Sequence, residues 1–111
     1  MNVNTRAYDF IMELVARNIG HFRQDDFGKY QGECWGKLEN DCVYIIKSVF
    51  DREMNMQGFN PTSFLSWAKR MGCLITDGDR RTKNCRIGGN VVNCVCVKKK
   101  IDQNAQTSVN G

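Results

Sequence analysis

Basic side chains are concentrated in one part of this 111-residue chain. Residues 69–101 contain nine Lys and Arg but only two Asp, whereas residues 1–68 contain seven Lys and Arg and nine Asp and Glu. A local excess of positive charge attracts polyanions more strongly than the net charge of +4 suggests, because phosphates respond to the nearby field. Neutralising phosphates is therefore the chemistry these residues could perform, although Lys and Arg on the outer faces of strands are most often simply solvated.

A helix predicted over residues 61–71 is the best-marked element that could position these charges. Asn60 can cap it, Pro61 suits the first helical position because a missing N–H costs nothing there, and Gly72 favours an end. We expect Trp67, at the edge of its apolar stripe, to lie in the core. The other side suits phosphate and groove contact, because it carries small hydroxyls and basic groups at Thr62, Ser63, Ser66, Lys69 and Arg70.

Strand patterns follow this helix. Residues 73–76 and 81–87 are predicted as strands on either side of an Asp77-Gly78-Asp79 turn. Gly88-Gly89 predicts a tight hairpin turn into a last strand at residues 90–98. Together these segments predict a basic hairpin that follows the helix.

The middle of the chain predicts a short strand pair and a further helix. Residues 33–37 and 42–46 have the composition of strands joined by a polar turn. Ser48 followed by Asp51 resembles a capping box, which predicts a helix from there to Gly58.

The first helix and the order of the elements indicate the fold class. Apolar residues at spacings of three and four predict a helix that is capped by Asn4 or Thr5 and stopped by Gly20. We therefore expect an α+β, winged-helix-like fold with about three helices, a C-terminal antiparallel hairpin or wing, and a short additional strand pair. In that fold the second helix of a pair enters the major groove, and Gly58-Phe59 would be the turn between the two helices.

Length and hydropathy bound the organisation of the chain. A chain of 111 residues predicts one domain, here residues 6–101, between flexible ends at residues 1–5 and 102–111. No apolar run approaches the roughly 20 residues needed to cross a bilayer, and no signal peptide is evident. We expect a cytoplasmic protein without a membrane partner.

The residues expected to contact nucleic acid join the polar side of the predicted helix to the hairpin and the strand ends. They would neutralise phosphates and position the domain rather than read the base sequence. They are Thr62, Ser63, Ser66, Lys69, Arg70, Arg80, Arg81, Lys83, Arg86, Lys98 and Lys99, with Lys100 at the same strand end.

Cysteine usage and the missing motifs argue against metal, cofactor and catalysis. Cys94 and Cys96 would share one face of a strand, but the chain has no C-x-x-C pair and its one histidine, His21, lies far upstream. We expect the six cysteines to stay reduced and mostly buried. Phosphate-loop, dinucleotide, nucleophile-elbow and zinc-helix signatures are all missing, so we expect no enzyme activity, no cofactor and no metal.

The chain resembles the C-terminal segment of a family of phage and mobile-element helicase-like or primase-like proteins known only as a domain of unknown function. The resemblance spans about residues 7–99 and implies an accessory winged-helix unit that engages DNA for replication of the element. The ATP-hydrolysing motor of the family is missing here, so its activity does not carry over. The motifs that carry the resemblance are Gly32-Glu33-Cys34-Trp35-Gly36-Lys37, Val43-Tyr44-Ile45-Ile46, Gly58-Phe59-Asn60-Pro61, Phe64-Leu65-Ser66-Trp67-Ala68-Lys69, Gly72-Cys73-Leu74-Ile75, Arg81-Thr82-Lys83 and Arg86-Ile87-Gly88.

Two functions remain open at this point. One is a DNA-binding accessory domain that uses the helix at 61–71 and the basic hairpin. The other is a docking module that packs on a helicase or ATPase domain, a replication protein or a partner subunit. Salt separates the two, because phosphate binding weakens steeply as salt rises and apolar docking does not. Binding to anionic membranes is disfavoured, since no helix combines a basic face with bulky apolar anchors.

Overall fold

The computed structural model describes residues 2–24 and 28–100. Within these residues the helices are α1 at Val3–Arg17, α2 at Lys47–Met56 and α3 at Pro61–Arg70. The strands are β1 at Phe22–Arg23, β2 at Gly36–Leu38, β3 at Cys42–Ile46, β4 at Lys83–Ile87 and β5 at Asn90–Lys98. The predicted α+β class is confirmed, with three helices and a five-stranded sheet in the described part of the chain.

Helix α1 begins earlier than predicted. Asn2, not Asn4 or Thr5, is the capping residue, and its side-chain oxygen accepts a 2.7 Å hydrogen bond from the Asn4 N–H. Residues 3–5, which we expected to be flexible, therefore form the first turn. The helix ends at Arg17, just before Gly20, and a short 3₁₀ turn at Ile19–His21 leads into β1. The expected C-terminal tail lies outside the described residues.

The predicted capping box at the start of α2 is wrong. Ser48 already lies inside the helix, and the N-cap residue, Ile46, makes no side-chain capping hydrogen bond. Asp51 instead accepts a 2.5 Å bond from Lys47, one helical turn earlier. Strand β3 runs directly into α2, which leaves no loop residue to act as a cap.

The sheet is mixed and has the order β1-β2-β3-β5-β4. β1 and β2 are parallel, and the other neighbours are antiparallel. Strand β5 is long enough to pair with β4 over its first half and with β3 over its second half.

Three strand predictions change in the structure. Residues 73–76 do not form a strand paired with 81–87. Leu74 makes one antiparallel bridge to Val97 of β5, because main-chain hydrogen bonds join this segment to the second half of β5. The strand predicted at 81–87 starts only at Lys83, and the strand predicted at 33–37 is displaced to β2.

One face of the sheet packs against the three helices. Val43 and Ile45 of β3 and Val95 and Val97 of β5 meet the apolar sides of α1, α2 and α3 there. Trp67 is 8% exposed and belongs to this core, as expected. Burial of these large side chains is the main source of stability of the domain.

The opposite face of the sheet forms a second buried cluster that is rich in cysteine. Side chains alternate along a strand, so Cys94 and Cys96 of β5 point away from the helices and pack with Tyr44 of β3 and Cys85 of β4. In a flat sheet β2 and β4 would lie about 14 Å apart, at about 4.8 Å per strand. Yet the Lys37 ammonium of β2 lies 3.1 Å from the Arg86 carbonyl oxygen of β4. The sheet therefore curls around the cysteine cluster.

Candidate nucleic-acid interface

Helices α2 and α3 are joined by a tight turn at residues 57–60. Gly58 has a φ of +86°, a conformation that glycine adopts without strain, and the Phe59 N–H donates a 2.9 Å bond to the Met54 carbonyl oxygen. Asn60 then caps α3, because its side-chain oxygen accepts a 2.9 Å bond from the Ser63 N–H. The predicted turn at Gly58-Phe59 and the predicted cap are both confirmed.

Helix α3 has one side in the core and one side facing solvent. Phe64, Leu65, Trp67 and Ala68 are buried. Thr62, Ser63 and Arg70 are exposed, and Ser66 is half-buried. The polar side of the predicted helix is therefore available for contact with a partner.

Lys69 points to the chain that follows α3, which we call the α3–β4 loop, residues 76–82. Its ammonium lies 3.1 Å from the Arg80 carbonyl oxygen and 3.5 Å from the Gly78 carbonyl oxygen. Lys69 is half-buried in this position. Its cation thus holds a loop against the end of α3, a role that the helical pattern alone did not indicate.

The α3–β4 loop is ordered by its own polar groups. The Asp77 carboxylate accepts a 3.2 Å bond from the Asn84 N–H, and the Asp77 carbonyl oxygen accepts one from the Arg80 N–H. Thr82 is only 8% exposed, and its carbonyl oxygen accepts a bond from the Asp77 N–H. The sequence marked the Asp77-Gly78-Asp79 turn, but it did not indicate that hydrogen bonds of Asp77 and Thr82 shape the loop.

Arg80 and Arg81 are the basic residues that this loop presents. Both are exposed, and the Arg80 guanidinium lies 3.5 Å from the Thr82 hydroxyl. Because Lys69 contacts the backbone of Arg80, both arginines are tied to the C-terminal end of α3. Arg70 is exposed in the last turn of that helix.

Lys98, Lys99 and Lys100 lie at the same end of the domain. The Lys98 N–H donates a 2.7 Å bond to the Cys73 carbonyl oxygen, three residues after the end of α3. The three lysines line a surface pocket together with Asn40, Asp41 and Ile75. A direct main-chain bond therefore joins the end of β5 to the segment that follows α3.

Lys83 and Arg86 occupy a different position. They are three positions apart on β4, so they point to opposite faces of the sheet. The Arg86 guanidinium donates to the Gly89 carbonyl oxygen at the β4–β5 turn, 3.3 Å away. The structure thus does not gather all of the predicted basic residues on one surface.

The β4–β5 turn itself packs against the far edge of the sheet. Gly88 and Gly89 both have positive φ, 61° and 83°, as a two-residue hairpin of the predicted kind requires. The Arg23 guanidinium of β1 lies about 3 Å from where a Cβ on Gly88 would stand. Together with the Lys37 bond to Arg86, this contact draws the turn toward β1 and β2.

The cysteines are free thiols, most of them buried. All six lie in the described part of the chain and are free, and Cys85 Sγ is 3.5 Å from Cys96 Sγ. Hydrogen bonding to Cys85, together with burial, raises the pKa of the Cys94 and Cys96 thiols, so these two stay protonated at neutral pH. Within residues 2–24 and 28–100, no group of three His, Cys, Asp or Glu is arranged to hold a metal ion.

Helices α2 and α3 are joined by a tight turn, and the β4–β5 hairpin that follows them returns to β3, the strand before α2. This arrangement defines a helix-turn-helix domain of winged-helix type. Consistent with this class, the chain belongs to the family of the Cch helix turn helix domain, whose model matches residues 2–103. The family and the helix pair together support a DNA-binding role. A comparison with curated proteins found no match. Among the described residues, no helix is long and apolar enough to cross a membrane.

Proposed function

We propose that this chain is a non-catalytic accessory domain that engages DNA during replication of a phage or mobile element. The observation that carries the proposal is the exposed polar side of α3, with its hydroxyls and Arg70, next to the exposed arginines of the α3–β4 loop. The second helix of such a pair is the element that enters the major groove in helix-turn-helix proteins. The replication context rests on the resemblance to mobile-element helicase-like and primase-like proteins.

Electrostatics supports the same proposal. The N-terminal end of α3 carries the positive end of the helix dipole and the hydroxyls of Thr62 and Ser63, which favour an anion. The C-terminal end would repel an anion by its dipole, but there Arg70, Arg80 and Arg81 supply full positive charges. Phosphates could therefore approach α3 at both of its ends.

The test is fluorescence anisotropy of labelled duplex DNA over a salt series. The logarithm of the binding constant should fall linearly with the logarithm of salt, with a slope of about −0.9 for each phosphate neutralised. Four to six neutralised phosphates would give a slope of roughly −4 to −5. A slope near zero, or no binding at low salt, would contradict the proposal.

A docking role on a helicase or ATPase domain or on a replication protein is the second candidate. Met56, at the end of α2, is 76% exposed, and Phe59 three residues later packs its half-buried ring on Phe10 with 5.6 Å between ring centroids. This apolar edge of the helix pair could bury against protein. Met56→Lys should abolish such docking but leave DNA binding within about twofold, whereas the salt series reports on DNA alone.

A further inference from the structure

Two basic elements follow α3 along the chain, the α3–β4 loop and the β4–β5 turn. We infer that the α3–β4 loop contacts the phosphates of duplex DNA beside α3, through Arg80 and Arg81, and that the β4–β5 turn stays off the duplex. The inference rests on the proposed function and assigns both the contacting element and the form of DNA. It keeps Arg80 and Arg81 from the sequence-based expectation and removes the hairpin residues Lys83 and Arg86 from the contact.

The first support is the connection between the loop and α3. Lys69 lies in the last turn of α3, and its ammonium contacts the carbonyl oxygens of Gly78 and Arg80. A duplex that receives α3 in its groove would have its flanking backbone next to that end of the helix. Arg80 and Arg81 are exposed there.

The second support is that the loop is already ordered. The Asp77 carboxylate and main chain and the buried Thr82 hold the backbone of residues 77–84 by hydrogen bonds. A loop that is ordered before binding loses less conformational entropy when its side chains contact phosphate. The arginines therefore stand on a fixed support, as phosphate contacts that set orientation require.

The third support is the direction of the β4–β5 turn. Strand β4, Lys83–Ile87, separates this turn from the α3–β4 loop by about 13 Å, at about 3.3 Å per residue. At the turn, the Arg23 guanidinium of β1 lies about 3 Å from the position of a Cβ on Gly88, and Lys37 of β2 bonds to the Arg86 carbonyl oxygen. The turn is thus packed on the β1 and β2 edge, while the α3–β4 loop is packed on α3.

The fourth support concerns the form of DNA. Proteins that bind single strands stack the bases on exposed aromatic rings. The aromatic residues of α3, Phe64 and Trp67, are 0% and 8% exposed, because their rings pack in the core. The groups that α3 offers to solvent are hydroxyls and a guanidinium, which suit the grooves and backbone of a duplex.

Two double variants with equal changes in charge test the inference. Arg80→Ala with Arg81→Ala removes the loop cations, and Lys83→Ala with Arg86→Ala removes two hairpin cations. Anisotropy with a random-sequence duplex of about two helical turns, and with one of its single strands, is measured over a salt series. Thermal melting checks that each variant is folded.

The loop variant should bind the duplex at least about tenfold more weakly than wild type, and the magnitude of its log–log salt slope should fall by about two. The hairpin variant should lose less than about threefold in duplex affinity. Wild type should bind the duplex more tightly than the single strand. If the loop variant does not fold, Arg81→Glu against Arg86→Glu makes the same comparison with one exposed residue in each element.

Each of the other possible results would overturn one part of the inference. Equal losses, or a larger loss in the hairpin variant, would overturn the inference while leaving the proposed function intact. Tighter binding of the single strand would overturn the assignment of duplex DNA. If wild type binds neither form at low salt, the proposed function fails and the inference fails with it.

Discussion

The side-chain ammonium of Lys69 lies 3.1 Å from the main-chain carbonyl oxygen of Arg80, across the junction between α3 and the loop that follows it. A lysine in this geometry can fix a backbone, because it donates to carbonyl oxygens without needing a counter-charge. Lys69 therefore fixes the backbone of the loop that carries Arg80 and Arg81.

Removing this ammonium should loosen the α3–β4 loop. We expect Lys69→Met to accelerate trypsin cleavage after Arg80 or Arg81, because a looser loop opens more often, and to lower duplex affinity by about threefold. Lys99→Met is the matched control, since Lys99 is an exposed lysine at the end of β5. It should weaken DNA binding without changing cleavage at the loop. Equal cleavage rates in wild type and Lys69→Met would show that the contact does not order the loop.

A negative charge at the start of α3 should raise the stability of the fold but weaken DNA binding. Thr62 is exposed in the first turn of α3. Thr62→Glu should stabilise the fold by about 0.3–1 kcal/mol through the helix dipole, yet weaken duplex binding by at least about fivefold through repulsion of phosphates. Chemical denaturation and anisotropy measure the two effects. Ala16→Glu makes the same change in charge at an exposed position of α1 and should leave affinity within about twofold. Similar losses in both variants would mean that only the net charge matters.

Gly36 is fixed by the close approach of β2 to β3. A Cβ on Gly36 would stand 1.7 Å from the Tyr44 carbonyl oxygen, so the two strands could not keep their register. Gly36→Ala should cost at least about 3 kcal/mol in the free energy of unfolding, measured by urea denaturation. At Gly20 the nearest atom is the flexible Gln31 side chain at 3.3 Å, and Gly20→Ala should cost less than about 1 kcal/mol. A mild effect at Gly36 would contradict the β2–β3 pairing described here.

Tyr8 should make the domain sensitive to alkaline pH. Its hydroxyl donates a 2.6 Å bond to the Lys98 carbonyl oxygen, and burial, with smaller effects of Cys73 and Asp9, raises the pKa of Tyr8 to about 12 from an ordinary 10.0. The folded state therefore holds this proton more tightly than the unfolded chain does. The resulting stability is complete below pH 10 and is lost as the pH rises toward 12.

Melting curves between neutral pH and about pH 11 test this link. Tyr8→Phe should cost about 1 kcal/mol at neutral pH, because the hydrogen bond is lost, and should flatten the alkaline fall in Tm. Tyr30→Phe changes an exposed tyrosine and should follow the wild-type curve. A Tyr8→Phe curve parallel to that of wild type would contradict the link.

Local signals predicted the parts of the fold that short segments determine by themselves. Asn60, Pro61 and the glycines of the tight turns set α3 and the β4–β5 turn, because caps and positive-φ positions act on nearby backbone. The pairing of β1 with β2 could not be predicted from the sequence, because β1 has only two residues and meets its partner through tertiary packing. Residues 73–76 read as a strand but pair with β5, which no local pattern could select.

The sequence predicted which residues belong to the candidate site but not how they are arranged in space. Charge counts drew attention to the residues after α3, and Thr62, Ser63 and Arg70 of α3 are exposed in the structure. The sequence could not show that the Lys69 ammonium contacts carbonyl oxygens of the α3–β4 loop, or that β2 and β4 come close across the sheet. Those facts depend on how distant strands close on each other, as when Lys37 reaches Arg86.

Residues 76–81 contribute no side chain to either hydrophobic cluster, and the loop joins the helix through one lysine and its own hydrogen bonds. A segment of this kind can change its sequence without disturbing the core, since loops tolerate substitution better than the elements they connect. Single substitutions in the loop could therefore change the binding affinity while leaving the stability of the fold nearly unchanged. Grafting a different loop between Thr76 and Thr82 is a direct route to new binding strengths on an unchanged framework.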